Sequence, residues 1–225
     1  MIPNKLISIH IADDHPVVRT GVRLIVQSAP DCAFLCDTAD AASTLAAVEK
    51  HRPDVLVLDL WMGGNDGFEL IRSISIASPG TRILVYSSAD ERVMGPRALR
   101  AGAAGFVLKS CGLDELLQAI RTVAAGRRAV SPALMDELME AGLQSGNPTA
   151  APRRKVPELA VLTDRELQVL RLIGSGQPTS KIAQVLNISL KTVGAHRENL
   201  KNKLHVANGA ELAERAVSLV NQRMF

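Results

Sequence analysis

The 225 residues contain no apolar stretch near the roughly 18 to 20 needed to cross a bilayer as a helix. The first apolar run, Leu6 to Ala12, stops at Asp13-Asp14 with no cleavage-like site, so a cytoplasmic protein is expected. Cysteine is equally scarce. Cys32, Cys36 and Cys111 are an odd number without paired metal-type spacing, and their small apolar neighbours read as core filling in a reducing compartment. Neither disulfides nor zinc are expected. What is present is ample apolar material, 47% of the chain, and a length comfortable for two domains of about 100 to 200 residues each.

The small net charge of +3 conceals an asymmetry. Residues 151 to 225 hold 12 Lys and Arg against 6 Asp and Glu, whereas residues 1 to 150 hold 14 against 17. A basic last third is a modest hint of a nucleic-acid partner there, although a solvated basic face produces the same excess. A motif has to decide.

The earlier part is organised around Pro53-Asp-Val-Leu-Val-Leu-Asp59, an unbroken apolar run ending in one carboxylate. Such a run suits a strand in the middle of a parallel sheet covered on both faces. Alone, Asp59 reads more simply as a helix cap or loop carboxylate, but comparable runs surround it. Strand-like segments at 6–12, 33–36, 55–59, 83–87 and 105–109 alternate with helical spacing at 16–28, 41–50, 68–76, 93–101 and 113–125. The alternation predicts a doubly wound, five-stranded parallel sheet of flavodoxin-like type, followed by an all-α domain. Right-handed crossovers bring the ends of the first, third, fourth and fifth strands to one edge, where Asp13-Asp14, Asp59, Ser87 and Lys109 stand. Three crowded carboxylates call for a cation, and oxygen-only donors suit Mg2+. A carboxylate there can also accept a phosphoryl group, with a hydroxyl and an ammonium to hold the added oxygens.

Ala-Asp-Asp-His-Pro (12–16), Val-Leu-Asp-Leu-Trp-Met (57–62), Val-Tyr-Ser (85–87) and Gly-Phe-Val-Leu-Lys (105–109) resemble the receiver domain of two-component response regulators across residues 5 to 125. The resemblance implies that Asp59 is the phosphoacceptor and that Asp13, Asp14 and Asp59 hold Mg2+. It makes Ser87 the switch hydroxyl, Lys109 the phosphate contact and Phe106 the aromatic that moves with them. Two positions depart from the family pattern. Gly63, with Gly64 behind it, replaces the usual proline after the phosphoacceptor, implying a more mobile loop. Ser110 replaces the proline usual after the lysine, which removes the reason for a cis bond there.

Past this domain, residues 127–158 read as a linker with a helix at about 132–143 and a flexible stretch from Gln144 to Pro157 that includes Arg153-Arg154-Lys155. Thr163 and Glu166 then form a capping box, and Gly174 to Pro178 ends the helix it opens. A short helix at about 179–186 follows, and Ser189 caps a longer one with Leu190, Val193, Leu200 and Leu204 inward and Lys191, Arg197, Lys201 and Lys203 on the other face. That is a helix-turn-helix with a basic second helix. Leu-Thr-Asp-Arg-Glu-Leu-Gln-Val-Leu (162–170), Lys-Ile-Ala (181–183) and Ile-Ser-Leu-Lys-Thr-Val-Gly-Ala-His-Arg (188–197) resemble the LuxR-type DNA-binding domain, and with the upstream receiver they resemble the NarL/FixJ family. The expected domains are therefore 1–126 and 159–225.

The resemblance turns Lys191, Thr192, Ala195, Arg197 and Lys201 toward promoter DNA. It implies a histidine kinase as phosphodonor, a homodimer, RNA polymerase as a further partner, and no membrane association. Gly194 stands where the family carries lysine, and Lys181 where it carries glutamate. Two other readings compete. In one, the first domain is a pseudo-receiver governed by partner contacts, against which the intact Asp13, Asp14, Asp59, Ser87 and Lys109 argue. In the other, the chain is a phosphohydrolase of the aspartyl-phosphate type, but those need an Asp-x-Asp on one strand, and no such pair or substrate cap is evident.

Overall fold

A computed structural model describes residues 6–62, 66–144, 158–222 and 224. Five parallel strands, β1 (Ile7–Ala12), β2 (Cys32–Thr38), β3 (Val55–Leu58), β4 (Arg82–Ser87) and β5 (Gly105–Leu108), lie in the order β2-β1-β3-β4-β5. The connecting helices are α1 (Pro16–Ser28), α2 (Ala41–His51), α3 (Gly67–Ala77), α4 (Glu91–Ala101) and α5 (Leu113–Ala124). Pro16 opens α1, where its missing N–H costs nothing. Asp40, Asp66 and Asp90 cap α2, α3 and α4 with side-chain acceptors.

The continuous apolar run of β3 conceals a period of two. Val55 and Val57 join Ile9, Ile11, Leu84, Tyr86 and Val107 under α1 and α5, whereas Leu56 and Leu58 join Ile83, Val85 and Phe106 under α2, α3 and α4. Both faces of the sheet are dry, as a parallel sheet requires. Beyond β3 the first residue of α3 lies close against Leu60. A Cβ on Gly67 would collide with the carbonyl of Leu60, so only glycine lets α3 start this close to the residue after Asp59.

A sixth helix, α6 (Pro132–Gln144), spans the expected linker helix and rests on α4, with the buried Leu134 side chain seated over Gly95. Gln144, where the flexible stretch is expected to begin, instead ends α6; the remainder of that stretch, 145–157 with Arg153-Arg154-Lys155, lies outside the described residues, as do Gly63 and Gly64. No cis peptide bond occurs among the described residues, which agrees with Ser110 in place of proline.

After a 3-10 turn (Glu158–Val161) come α7 (Asp164–Gly174), α8 (Thr179–Val185), α9 (Leu190–Leu204) and α10 (Gly209–Asn221). The capping box is complete: Thr163 Oγ1 accepts from the Glu166 N–H at 3.2 Å, and Glu166 Oε2 accepts from the Thr163 N–H at 2.7 Å. Leu167, Leu170, Ile182, Val193, Leu200, Leu212 and Ala216 form the helical core. That core is continuous with the α2-α3-α4 face of the sheet.

Arg97 of α4 fastens the two parts. Its guanidinium donates to the Asp164 carboxylate at 2.9 Å and to the carbonyls of Leu159, Ala160 and Leu162 at 3.0, 3.1 and 2.6 Å. Charge-assisted bonds of this number hold the 3-10 turn against α4.

Candidate functional site

The carboxyl edge of the sheet collects the residues that the sequence pointed to. β1 hands over to Asp13 and β3 to Asp59, and the Asp59 N–H donates to the Ala12 carbonyl at 2.8 Å. The β1/β3 ladder thus runs up to the two carboxylates and fixes them side by side. Next to β4, β5 hands over to Lys109, whose N–H donates to the Ser87 carbonyl at 2.8 Å. Lys109 Nζ lies 2.6 Å from Asp13 Oδ2 and 3.0 Å from Asp59 Oδ2, so one ammonium bridges two buried carboxylates. Asp14 and His15 close the cluster: His15 Nδ1 is 2.7 Å from Asp14 Oδ1 and 3.2 Å from Asp13 Oδ1. One ligand-type atom from each of Asp13, Asp14, His15 and Asp59 lies within 4.8 Å of the others.

Three carboxylates share this pocket with one lysine. Burial pushes the Asp59 carboxyl above the ordinary range; Lys109 pulls it back, and Asp13 and Asp14 push it further. Burial also opposes the Lys109 charge, but Asp59 and Asp13 outweigh it and raise the ammonium's pKa. The result is a lysine held charged amid surplus negative charge. Hard oxygen donors carrying excess negative charge in a small space suit a divalent cation.

Ser87 is completely buried at the end of β4, and its Oγ accepts from the Ala89 N–H at 3.3 Å. Among the described residues it makes no polar contact with the carboxylates. Phe106 is packed in the apolar cluster with Val85, Ala89 and Met94, beneath the same edge. Residue-by-residue reading overlooked His15, although it stands in the Asp-Asp-His-Pro segment. It also overlooked Trp61 and Arg171, which are far apart in sequence; the Arg171 guanidinium carbon lies 4.9 Å from the Trp61 ring centroid.

In the helical part, the turn between α8 and α9 puts Asn187 in the left-handed region at φ 50° and lets the Ile188 N–H donate to the Ala183 carbonyl. Ser189 then caps α9, its Oγ accepting from the Thr192 N–H at 3.0 Å. α9 buries Val193, Leu200 and Leu204 and leaves Lys191, Thr192 and Ala195 exposed. Leu190, expected inside, is 58% exposed because it opens the helix ahead of the first full turn on the core. Arg197 is half-buried, its guanidinium beside Gly209. Lys201 Nζ is 2.8 Å from Glu198 Oε2 one turn earlier. Lys203 does not share the open face as expected. Its Nζ lies 2.7 Å from Glu166 Oε2 of the capping box, and the attraction of that buried carboxylate turns it inward.

Comparison with known proteins agrees with both halves. Residues 9–121 match the response regulator receiver domain, and residues 160–216 match the bacterial regulatory proteins of the luxR family. The oxygen regulatory protein NreC of Staphylococcus carnosus is 35% identical over 212 residues, covering 92% of this chain and 95% of NreC. Among solved structures, the RcsB response regulator of Salmonella typhimurium is 26% identical with a TM-score of 0.73, covering 96% of this chain and 98% of RcsB. RcsB bound to promoter P1flhDC in the presence of the phosphomimetic BeF3- is 26% identical with a TM-score of 0.70, covering 94% of this chain and 98% of that one. With the receiver sheet, the helix-turn-helix and these matches all in the same order along the chain, the protein belongs to the NarL/FixJ response regulators, DNA-binding transcription regulators that join a receiver domain to a LuxR-type domain.

Proposed function

We propose that a histidine kinase phosphorylates Asp59, and that Asp13, Asp14 and Asp59 hold Mg2+ for the transfer. The observation that carries this reading is the Lys109 bridge between Asp13 and Asp59 beside the partly exposed Asp14. An Asp59 oxygen attacks the phosphorus, a P–O bond forms, and the P–N bond to the donor imidazole breaks as that ring leaves with its electron pair. When bound, the metal neutralises charge on the transferring oxygens. Lys109 Nζ, already 3.0 Å from Asp59 Oδ2, follows the new phosphoryl group as a point charge. The Ser87 hydroxyl stands on β4, between the strands that end in Asp59 and Lys109, and donates to a phosphoryl oxygen. Phe106 adjusts beneath it.

Residues 1–126 act as the receiver and 159–225 as the DNA-binding domain, with 127–158 linking them. α9 enters the major groove of promoter DNA, Lys191 and Lys201 meeting phosphates and Thr192, Ala195 and Arg197 lying nearest the bases. Phosphorylation favours a homodimer that engages two half-sites in the cytoplasm and thereby acts on RNA polymerase. Incubation with a small phosphodonor and Mg2+ should add one phosphoryl group by intact mass. Asp59→Asn should add none and Asp14→Asn far less; label persisting on Asp59→Asn would sink the assignment.

A further inference from the structure

The acidic pocket has a neighbour from the other domain. Asp164, Gln168 and Arg171 stand four and three residues apart on one face of α7. Arg97 and Arg72 of the receiver hold Asp164 at 2.9 and 3.6 Å, Gln168 is 2% exposed, and Arg171 stacks on Trp61. That face is therefore the seam between the domains. Trp61 stands two residues past Asp59 and is 6% exposed, so the stacking places a cation of the DNA-binding domain beside the loop that leaves the phosphoacceptor. Among the described residues no carboxylate lies within ion-pair distance of Arg171. Burial lowers its pKa, while Asp59 and Asp14 act in the opposite direction.

We propose that Arg171 is a cross-domain counter-ion of the acidic pocket, so that docking of the DNA-binding domain and binding of Mg2+ at Asp13, Asp14 and Asp59 oppose one another. The inference rests on the metal reading above. With the domain docked, part of the pocket's surplus negative charge is already offset from the α7 side. A dication entering the pocket meets Arg171 as a like charge across a poorly solvated seam, where screening by salt is weak. Linkage makes the effect mutual: the factor by which docking weakens metal binding is the factor by which metal weakens docking. The seam is poorly satisfied on its own account, since Trp61 Nε1 and Gln168 Nε2 are buried without a hydrogen-bond partner among the described residues. Arg171 is thus a positioning residue that couples the receiver's metal state to the placement of α7.

The test uses the full-length protein and titrates Mg2+ by calorimetry, with acrylamide quenching of Trp61, the only tryptophan, as a second readout. Arg171→Gln should bind Mg2+ about fivefold more tightly than wild type, the order expected when one like charge is removed from a partly solvated neighbourhood of the site. Arg171→Lys keeps the charge and should stay within about twofold of wild type. Saturating Mg2+ should make Trp61 more accessible to acrylamide in wild type and leave Arg171→Gln nearly unchanged. Equal Mg2+ affinity in all three proteins would overturn the coupling and leave the metal reading intact. Arg171→Lys binding as tightly as Arg171→Gln would overturn it too, since packing and not charge would then govern the site. No Mg2+ uptake by any of them would instead remove the metal reading, and the coupling with it.

Discussion

His10, in the middle of β1, shows what one residue contributes against its own chemistry. It is fully buried, and its Nε2 lies 2.9 Å from Thr38 Oγ1, which lies 2.7 Å from Thr44 Oγ1, which donates to the Asp40 carbonyl at 2.6 Å. Since Thr44 spends its proton on Asp40, Thr38 donates to Thr44 and His10 must donate from Nε2. Nδ1 is left as a buried lone pair without a partner among the described residues. Burial, aided by His51, lowers the His10 pKa from 6.5 to about 4, against a smaller opposing pull from Asp37. The folded pKa is thus below the unfolded one, and the unfolded chain binds the extra proton in between. Stability should fall as pH drops from about 6.5 toward 4, by roughly 3 kcal/mol at the lower end. His10→Gln keeps a donor for Thr38 and cannot titrate, so the difference in urea midpoint between the two proteins should widen through that window. A constant difference would show that His10 does not titrate as described. Asp59 was legible only in company, because a carboxylate closing one apolar run reads as a cap or loop residue until the neighbouring strand ends bring Asp13, Asp14 and Lys109 to the same edge. The sequence was silent at His10, whose hydrogen-bond partner Thr38 lies 28 residues away.

At the scale of elements, caps and periodicity were legible and side-chain allegiance was less so. Thr163 with Glu166, Ser189 and Pro16 announce helix starts through purely local geometry, and the structure begins its helices there. Lys203 was unreadable for the opposite reason: its place is set by Glu166 on another helix. α9 contains a further test in Gly194. A Cβ at this position would meet nothing within 4 Å among the described residues, and glycine inside a helix costs about 1 kcal/mol relative to alanine. Gly194→Ala should therefore raise the unfolding free energy by roughly 0.5 to 1 kcal/mol. If the glycine admits the groove backbone closely, the same variant should bind operator DNA more weakly despite being more stable. Unfolding and operator titrations on one preparation check both, and undiminished binding would leave Gly194 with no recognition role.

At the scale of the whole molecule, the order of the two domains was legible and their seam was not, because Arg97, Asp164, Trp61 and Arg171 meet only after both parts have folded. The seam has a consequence for regulation. α7 faces the receiver, while Leu190, Lys191, Thr192 and Ala195 at the start of α9 remain open to solvent. Docking therefore leaves these four residues of the proposed DNA-reading face uncovered and acts on where that face points. For a dimer on two half-sites about 34 to 36 Å apart, orientation decides whether both α9 helices reach DNA together. Arg97→Ala removes the ion pair to Asp164 and three carbonyl bonds at a side chain only 9% exposed. Scattering should report a larger radius of gyration with unchanged far-ultraviolet dichroism. Binding to a single half-site should match wild type, because those four residues were never covered. Binding to the full operator should tighten about tenfold without a phosphate mimic, since release of about 1.4 kcal/mol of docking energy corresponds to that factor. The further gain from BeF3- should shrink accordingly. Tighter half-site binding by Arg97→Ala would mean that docking hides the reading face after all, and unchanged binding to both DNAs would mean that the Arg97 clasp does not restrain α9.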